Sequence, residues 1–244
     1  MAENRAKQDD ELAIDLYNNT MTGEWGKVVE MYEEHQTKAI SARINTSGDT
    51  ALHVAVSIAP EDIVRKLVSV ITKVSVFDLW IKNNIGNTPL HVAASTERFS
   101  VCIILGQALR HSHDEVQDLV LKKLFHNNFG ESPHFLATSH GHKTNFLCLQ
   151  YLCPSPDSNP GQSNPFYRRK DGETILHCAI RWEHFDLAFE ILELDHSLAY
   201  SVNEHGITPL HLLASKPSVF RSCCHLKFWD WKSVIYHCKY YSIV

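Results

Sequence analysis

Long apolar runs are missing from this chain of 244 residues. Nowhere do about 18 apolar residues follow one another, so no helix of it is apolar enough to span a bilayer. The opening Met1-Ala2-Glu3-Asn4-Arg5-Ala6-Lys7 is charged and has no apolar core, so no secretory leader is visible. Glycine (10) and proline (9) are sparse and the apolar share is 44%, which excludes collagen-like, low-complexity and wholly disordered chains. An excess of positive charge is missing too; the formal charge is −5, which argues against phosphate-backbone binding as the main business. Also absent are G-x-S-x-G, G-x-G-x-x-G, a Walker A run, H-E-x-x-H and any C-x-x-C pair, and with them the common nucleotide, hydrolase and zinc signatures. Seven cysteines at irregular spacing read as reduced, buried small hydrophobes of a cytoplasmic protein.

Histidine, by contrast, is abundant at 16 residues, and its positions reveal an internal repeat. Gly48-Asp49-Thr50-Ala51-Leu52-His53-Val54-Ala55 returns as Gly86-Asn87-Thr88-Pro89-Leu90-His91-Val92-Ala93. Further copies are Gly172-Glu173-Thr174-Ile175-Leu176-His177-Cys178-Ala179 and Gly206-Ile207-Thr208-Pro209-Leu210-His211-Leu212-Leu213. A degenerate third copy, Gly130-Glu131-Ser132-Pro133-His134-Phe135-Leu136-Ala137, has lost the Leu-His order. Asn45, Asn83, Asn127 and Asn203 stand three residues before the glycine, with Arg169 as the exception.

Each position has a physical reason. Asn closes an Asx-turn and glycine permits φ > 0 in a tight turn. Thr or Ser caps a helix N-terminus, and Pro fits its first turn. A second amphipathic helix follows, marked by Ile63, Val64, Leu67 and Val68, then by Val101, Cys102 and Leu105, then by Leu187, Ala188, Ile191 and Leu192. The pattern resembles the ankyrin repeat. It implies an all-α fold, an α-solenoid of about five helix-turn-helix repeats with finger-like turn connections over residues 41–240. Residues 1–40, with helices expected at Leu12–Tyr17 and Trp25–Tyr32, read as the N-terminal cap such a solenoid needs. Glycine-to-glycine spacings above the usual repeat place insertions near Ser69–Ile81, near Gly106–Phe125, and in a Pro-rich loop at 154–165.

A closer resemblance rests on Leu213-Ala214-Ser215-Lys216-Pro217-Ser218, Phe220-Arg221-Ser222, Trp229 with Trp231, and Ile235-Tyr236-His237-Cys238. Glu24 to Tyr32 and Arg168 to Gly172 add to it. These stretches resemble the plant ankyrin family of the accelerated-cell-death type. That resemblance implies roles in signalling, stress or defence near membrane complexes. Members also carry further repeats and a C-terminal PGG domain with transmembrane helices. The chain ends at Val244 without them, so a truncated product of a longer membrane protein is an alternative reading.

The signature residues Gly48, Thr50, His53, Gly86, Thr88, His91, Gly172, Thr174, His177, Gly206, Thr208 and His211 are expected to be structural. His111 with His113 and His140 with His142 have i, i+2 spacing that does not share one helix face. Cys223-Cys224-His225 with His237-Cys238 is the best metal cluster, but adjacent cysteines fit a tetrahedral ion poorly. Cys102 and Cys178 fall at packing positions, and the run Arg168-Arg169-Lys170 reads as a solvated finger. A hydrolase or metalloprotein is therefore the lesser alternative; no catalysis, cofactor, nucleic acid or small-molecule substrate is expected. The expected partner is another protein, met on the concave face at Ile58, Ile85, Phe129, His140, Arg181, Trp182 and His205. Phe129, Arg181 and Trp182 are the expected anchors, because aromatic and Arg residues dominate interface energetics. For Trp182, packing beneath the Pro-rich loop is the equal alternative.

Overall fold

The computed structural model describes residues 2–110, 125–152 and 164–216. Its helices are α1 (Ala2–Thr22), α2 (Trp25–His35), the short α3 (Thr37–Ser41), α4 (Ala51–Ile58), α5 (Glu61–Val74), α6 (Pro89–Ala94), α7 (Phe99–Arg110), α8 (Pro133–Ser139), α9 (Lys143–Leu152), α10 (Ile175–Arg181), α11 (Phe185–Leu194) and α12 (Pro209–Ala214). Among the described residues the only strand-like pairing is a single bridge, Arg168 to Thr174, within one finger. We number the repeat units one to five by their turn glycines, Gly48, Gly86, Gly130, Gly172 and Gly206. All five glycines have φ between +71° and +82°, in the left-handed region that side chains with a Cβ resist.

The inner helices α4, α6, α8, α10 and α12 pack one on the next, and the outer helices α2, α5, α7 and α9 form a second layer behind them. The inner layer stays thin because Ala55, Ala93, Ala137 and Ala179 lie at the contact, all fully buried. The outer helices contribute Val64, Leu67, Val101, Leu105, Phe146, Leu149, Leu187 and Ile191 to one continuous core. Outer helices α7 and α9 approach very closely: a Cβ on Gly106 would lie 2.5 Å from Leu152 Cδ1. At the starts of α7 and α9, polar residues hold carbonyls at the end of the inner helix of the preceding unit. Arg98 donates to Ala55 O, Val56 O (3.1 Å) and Ala59 O; Asn145 donates to Ala93 O, Ala94 O and Thr96 O.

Two expectations differ from the structure in extent. The first helix is not confined to Leu12–Tyr17 but runs over Ala2–Thr22, with Leu16 and Thr20 buried against the units behind it. The residues before Leu12 are good helix formers without an apolar period, so the pattern hid a helix that propensity continues. The first insertion is absorbed by an outer helix of 14 residues and a 3-10 turn, Val76–Trp80, that leads into the next finger. The Pro-rich segment (apart from Asn164 and Pro165), the stretch Glu115–Leu121, His111 and His113 lie outside the described residues. So do Cys153, Cys223, Cys224, His225, Trp229, Trp231, His237 and Cys238.

Candidate functional site

The fingers are built residue by residue. Asn45, Asn83, Asn127 and Asn203 each accept, through Oδ1, the backbone N–H four positions on, at 2.9 to 3.0 Å. In unit four, where Arg169 replaces the asparagine, Asp171 Oδ1 accepts from the Glu173 N–H instead (3.1 Å). The threonine N–H of units one, two, four and five donates to Nδ1 of the histidine three residues on, at 3.1 to 3.2 Å. Nδ1 therefore accepts, and the ring proton sits on Nε2. That Nε2 donates to a backbone carbonyl of the next finger: His53 to Asn87 O (3.0 Å), His91 to Glu131 O (3.1 Å), and His177 to Ile207 O (3.0 Å). Burial pushes all three imidazoles below their ordinary range, His91 down to about 3. These rings are neutral struts.

Unit three departs from this scheme. Phe135 occupies the histidine position and His134 the leucine position. His134 is fully buried in an aromatic cluster, stacked parallel to Phe166 and edge-on to Phe146 and Tyr167. Neither ring nitrogen makes a hydrogen bond of ordinary geometry among the described residues. Burial pushes the ring down to about 4, opposed by the nearby Leu149 backbone.

The expected partner-facing residues lie at finger tips or inner-helix ends. Ile58 (62% exposed), Ile85 (47%), Phe129 (61%) and Trp182 (59%) are among the exposed large apolar residues. His140 is exposed, with Nδ1 on Leu136 O (2.9 Å) and its ring stacked on that of His142 at 5.8 Å. His205 is exposed at the last finger. Arg181 is half-exposed but not idle: its guanidinium holds the buried carboxylate of Glu173, with Nε at 2.9 Å from Oε1. Equivalent positions in the other units carry Ser57, Ser95, Ser139 and Ser215.

Sequence reasoning missed the inward role of Arg169. The side chain is only 26% exposed; it bridges Asp171, Glu173 (2.6 Å) and Glu131 (3.7 Å) and lies 5.3 Å over the Phe135 ring. Asp171 is held below the usual carboxylate range, chiefly by its hydrogen bonds from Arg169. Among the described cysteines, burial pushes the Cys148 and Cys178 thiols up to about 11 and about 12, away from the thiolate form. Among the described residues no group of three or more His, Cys, Asp or Glu side chains could hold a metal ion, and no helix is long and apolar enough to cross a membrane.

Comparison with known proteins bears on this architecture. No family model matches the chain. It is 32% identical over 145 residues to human B-cell lymphoma 3 protein, a stretch covering 59% of this chain and 28% of that protein's length. The solved ankyrin repeat domain of Bcl-3, a unique member of the IkappaB protein family, superposes with a TM-score of 0.56 at 25% identity. That alignment covers 79% of this chain and 72% of the domain. The crystal structure of the ankyrin repeat protein EF0377 superposes with a TM-score of 0.64 at 17% identity, covering 93% and 96% of the two chains. With its fingers, paired helices and histidine struts, the chain has the ankyrin-repeat fold.

Proposed function

We propose that the chain is a non-catalytic scaffold that binds another protein along its concave face, through Ile58, Ile85, Phe129, His140, Arg181, Trp182 and His205. One observation carries this reading: Ile58, Ile85, Phe129 and Trp182 are large apolar side chains left 47% to 62% exposed at finger tips and inner-helix ends. Exposed aromatic side chains of this kind are the usual anchors of protein interfaces. We assign residues 1–40 to an N-terminal cap and 41–240 to about five repeats, the third degenerate. The resemblance of the Glu24–Tyr32 and Arg168–Gly172 stretches to the plant accelerated-cell-death-type proteins supports a setting in cytoplasmic signalling, stress or defence, beside membrane-anchored complexes. The test is affinity capture with the double variant Phe129→Ala, Trp182→Ala, which leaves the Arg181–Glu173 ion pair in place. Loss of the partners held by the unaltered chain, with an unchanged melting curve, is expected. Retention of every partner would overturn the assigned face.

A further inference from the structure

The cap helix α1 is apolar on two sides. One side packs on α2, α3 and α4, burying Leu16 and Thr20, with Leu12 half-buried beside them. On another side Ile14, Tyr17 and Met21 stand at i, i+3 and i+7, and all three are between 41% and 57% exposed. At about 100° per residue they fall within about 60° of one another, a single stripe along the helix. Scattered apolar residues on a surface are ordinary, whereas an aligned set at this spacing is how a helix engages another helix or a groove. A helix apolar on more than one side is one that is covered on more than one side.

Acidic groups border the stripe. Asp10, one turn before Ile14, is exposed, as are Glu11 and Asp15. About a quarter of a turn further round α1, an open groove runs between α1 and α2. Glu11, Asp15, Glu30 and Glu34 line it against Lys27 and Lys38. Four carboxylates against two ammonium groups leave it two charges negative, before any charge on the His35 imidazole that also lines it. Part of the positive charge is already engaged, since Lys27 Nζ lies 3.7 Å from Glu24 Oε2. Half-buried Leu12 and Met31 add apolar surface to the same groove.

We propose that this side of α1 and the adjoining groove form a second docking surface, and that its occupant is a basic amphipathic helix of a partner protein. The apolar face of that helix lies on Ile14, Tyr17 and Met21, while its Lys or Arg side chains reach Asp10, Asp15 and the groove carboxylates. The acidic border selects this occupant over two others. An anionic membrane leaflet repels carboxylates placed beside the stripe. The α1 of a second copy brings the same acids against these, and like charges set face to face oppose association. The surface shares no residue with the face assigned above and stands or falls independently of it.

Fluorescence anisotropy on the whole chain tests this with two labelled helical peptides of about 18 residues, long enough for about five turns. Both carry Leu at i, i+3, i+4 and i+7; one has Lys at its polar positions and the other Glu. The Lys peptide is expected to bind and the Glu peptide not, and the affinity of the Lys peptide should fall at least about 10-fold between about 50 mM and about 0.5 M NaCl. Ile14→Ser with Met21→Ser, and separately Glu11→Gln with Asp15→Asn, should each weaken it at least about 5-fold without shifting the melting curve, since only exposed side chains change. Absence of binding by the Lys peptide, equal binding of both peptides, or an affinity unchanged in either double variant would overturn the proposal. Should the stripe variant not fold, Tyr17→Ser alone decides in its place. Sedimentation of the chain alone and flotation with phosphatidylcholine–phosphatidylserine vesicles address the other occupants. A dimer, or vesicle binding, that the stripe variant abolishes would assign the stripe to a second copy or to a membrane and would overturn the proposal as well.

Discussion

At the scale of single residues, the histidines are the sensitive points. His53, His91, His134 and His177 are neutral in the fold and titrate below their unfolded value of about 6.5. The unfolded chain therefore binds more protons below that pH. Their contribution to stability is complete above pH about 6.5 and is lost as pH falls toward the folded values, about 4 for His134 and about 3 for His91. Denaturant midpoints should be level above about pH 7 and drop steadily from about pH 6.5 to 5, each buried ring adding up to about 1.4 kcal/mol per pH unit. A midpoint flat over this range would refute the assignment of neutral struts. His134→Leu restores the signature residue and removes two orphaned nitrogens, so it should stabilise the chain by about 1 kcal/mol at pH 7 and flatten the pH slope; urea titration reads both. The capping threonines, the asparagines and the neighbour-linking histidines were legible in the sequence because their bonds recur at fixed spacing. Arg169 was not, because Glu131 and Phe135 reach it from more than thirty residues away. The sequence shows only that a basic residue stands where asparagine belongs.

At the scale of elements, helix ends decide more than helix interiors. Arg98 holds three carbonyls at the end of α4 from the start of α7. Arg98→Ala should cost about 2 kcal/mol, and Arg98→Lys should recover only part, since an ammonium lacks the planar fork. Equal stability of all three proteins in urea would show that solvent satisfies those carbonyls equally well. The inner and outer helices were readable from the Thr caps and the spacing of Val64, Leu67, Val101 and Leu105. The true length of α1 was not, since an apolar period marks only its C-terminal half. On the exposed side, Phe129→Ala and Trp182→Ala should each change stability by less than about 0.5 kcal/mol, because neither side chain is part of the core. A larger loss in thermal melts would mean these rings pack inside rather than await a partner.

At the scale of the whole molecule, function depends on which face meets a partner. The proposed face comprises Ile58, Ile85, Phe129, His140 and Trp182, all exposed, while the outer layer offers Arg65 and Leu147 on helices α5 and α9. The order of the units made the architecture legible from the sequence; the candidate face was legible only as positions, and the structure adds that Arg181 is already committed to Glu173. Among the described histidines, His53, His91 and His177 each tie one finger to the next. Site-specific photo-cross-linking tests the assigned face most directly, with benzoylphenylalanine placed at Ile85, Phe129 or Trp182 and, for contrast, at Arg65 or Leu147. Cross-links to a protein partner from the first three positions and none from the last two are expected. Cross-links from Arg65 and Leu147, with none from the concave positions, would contradict it.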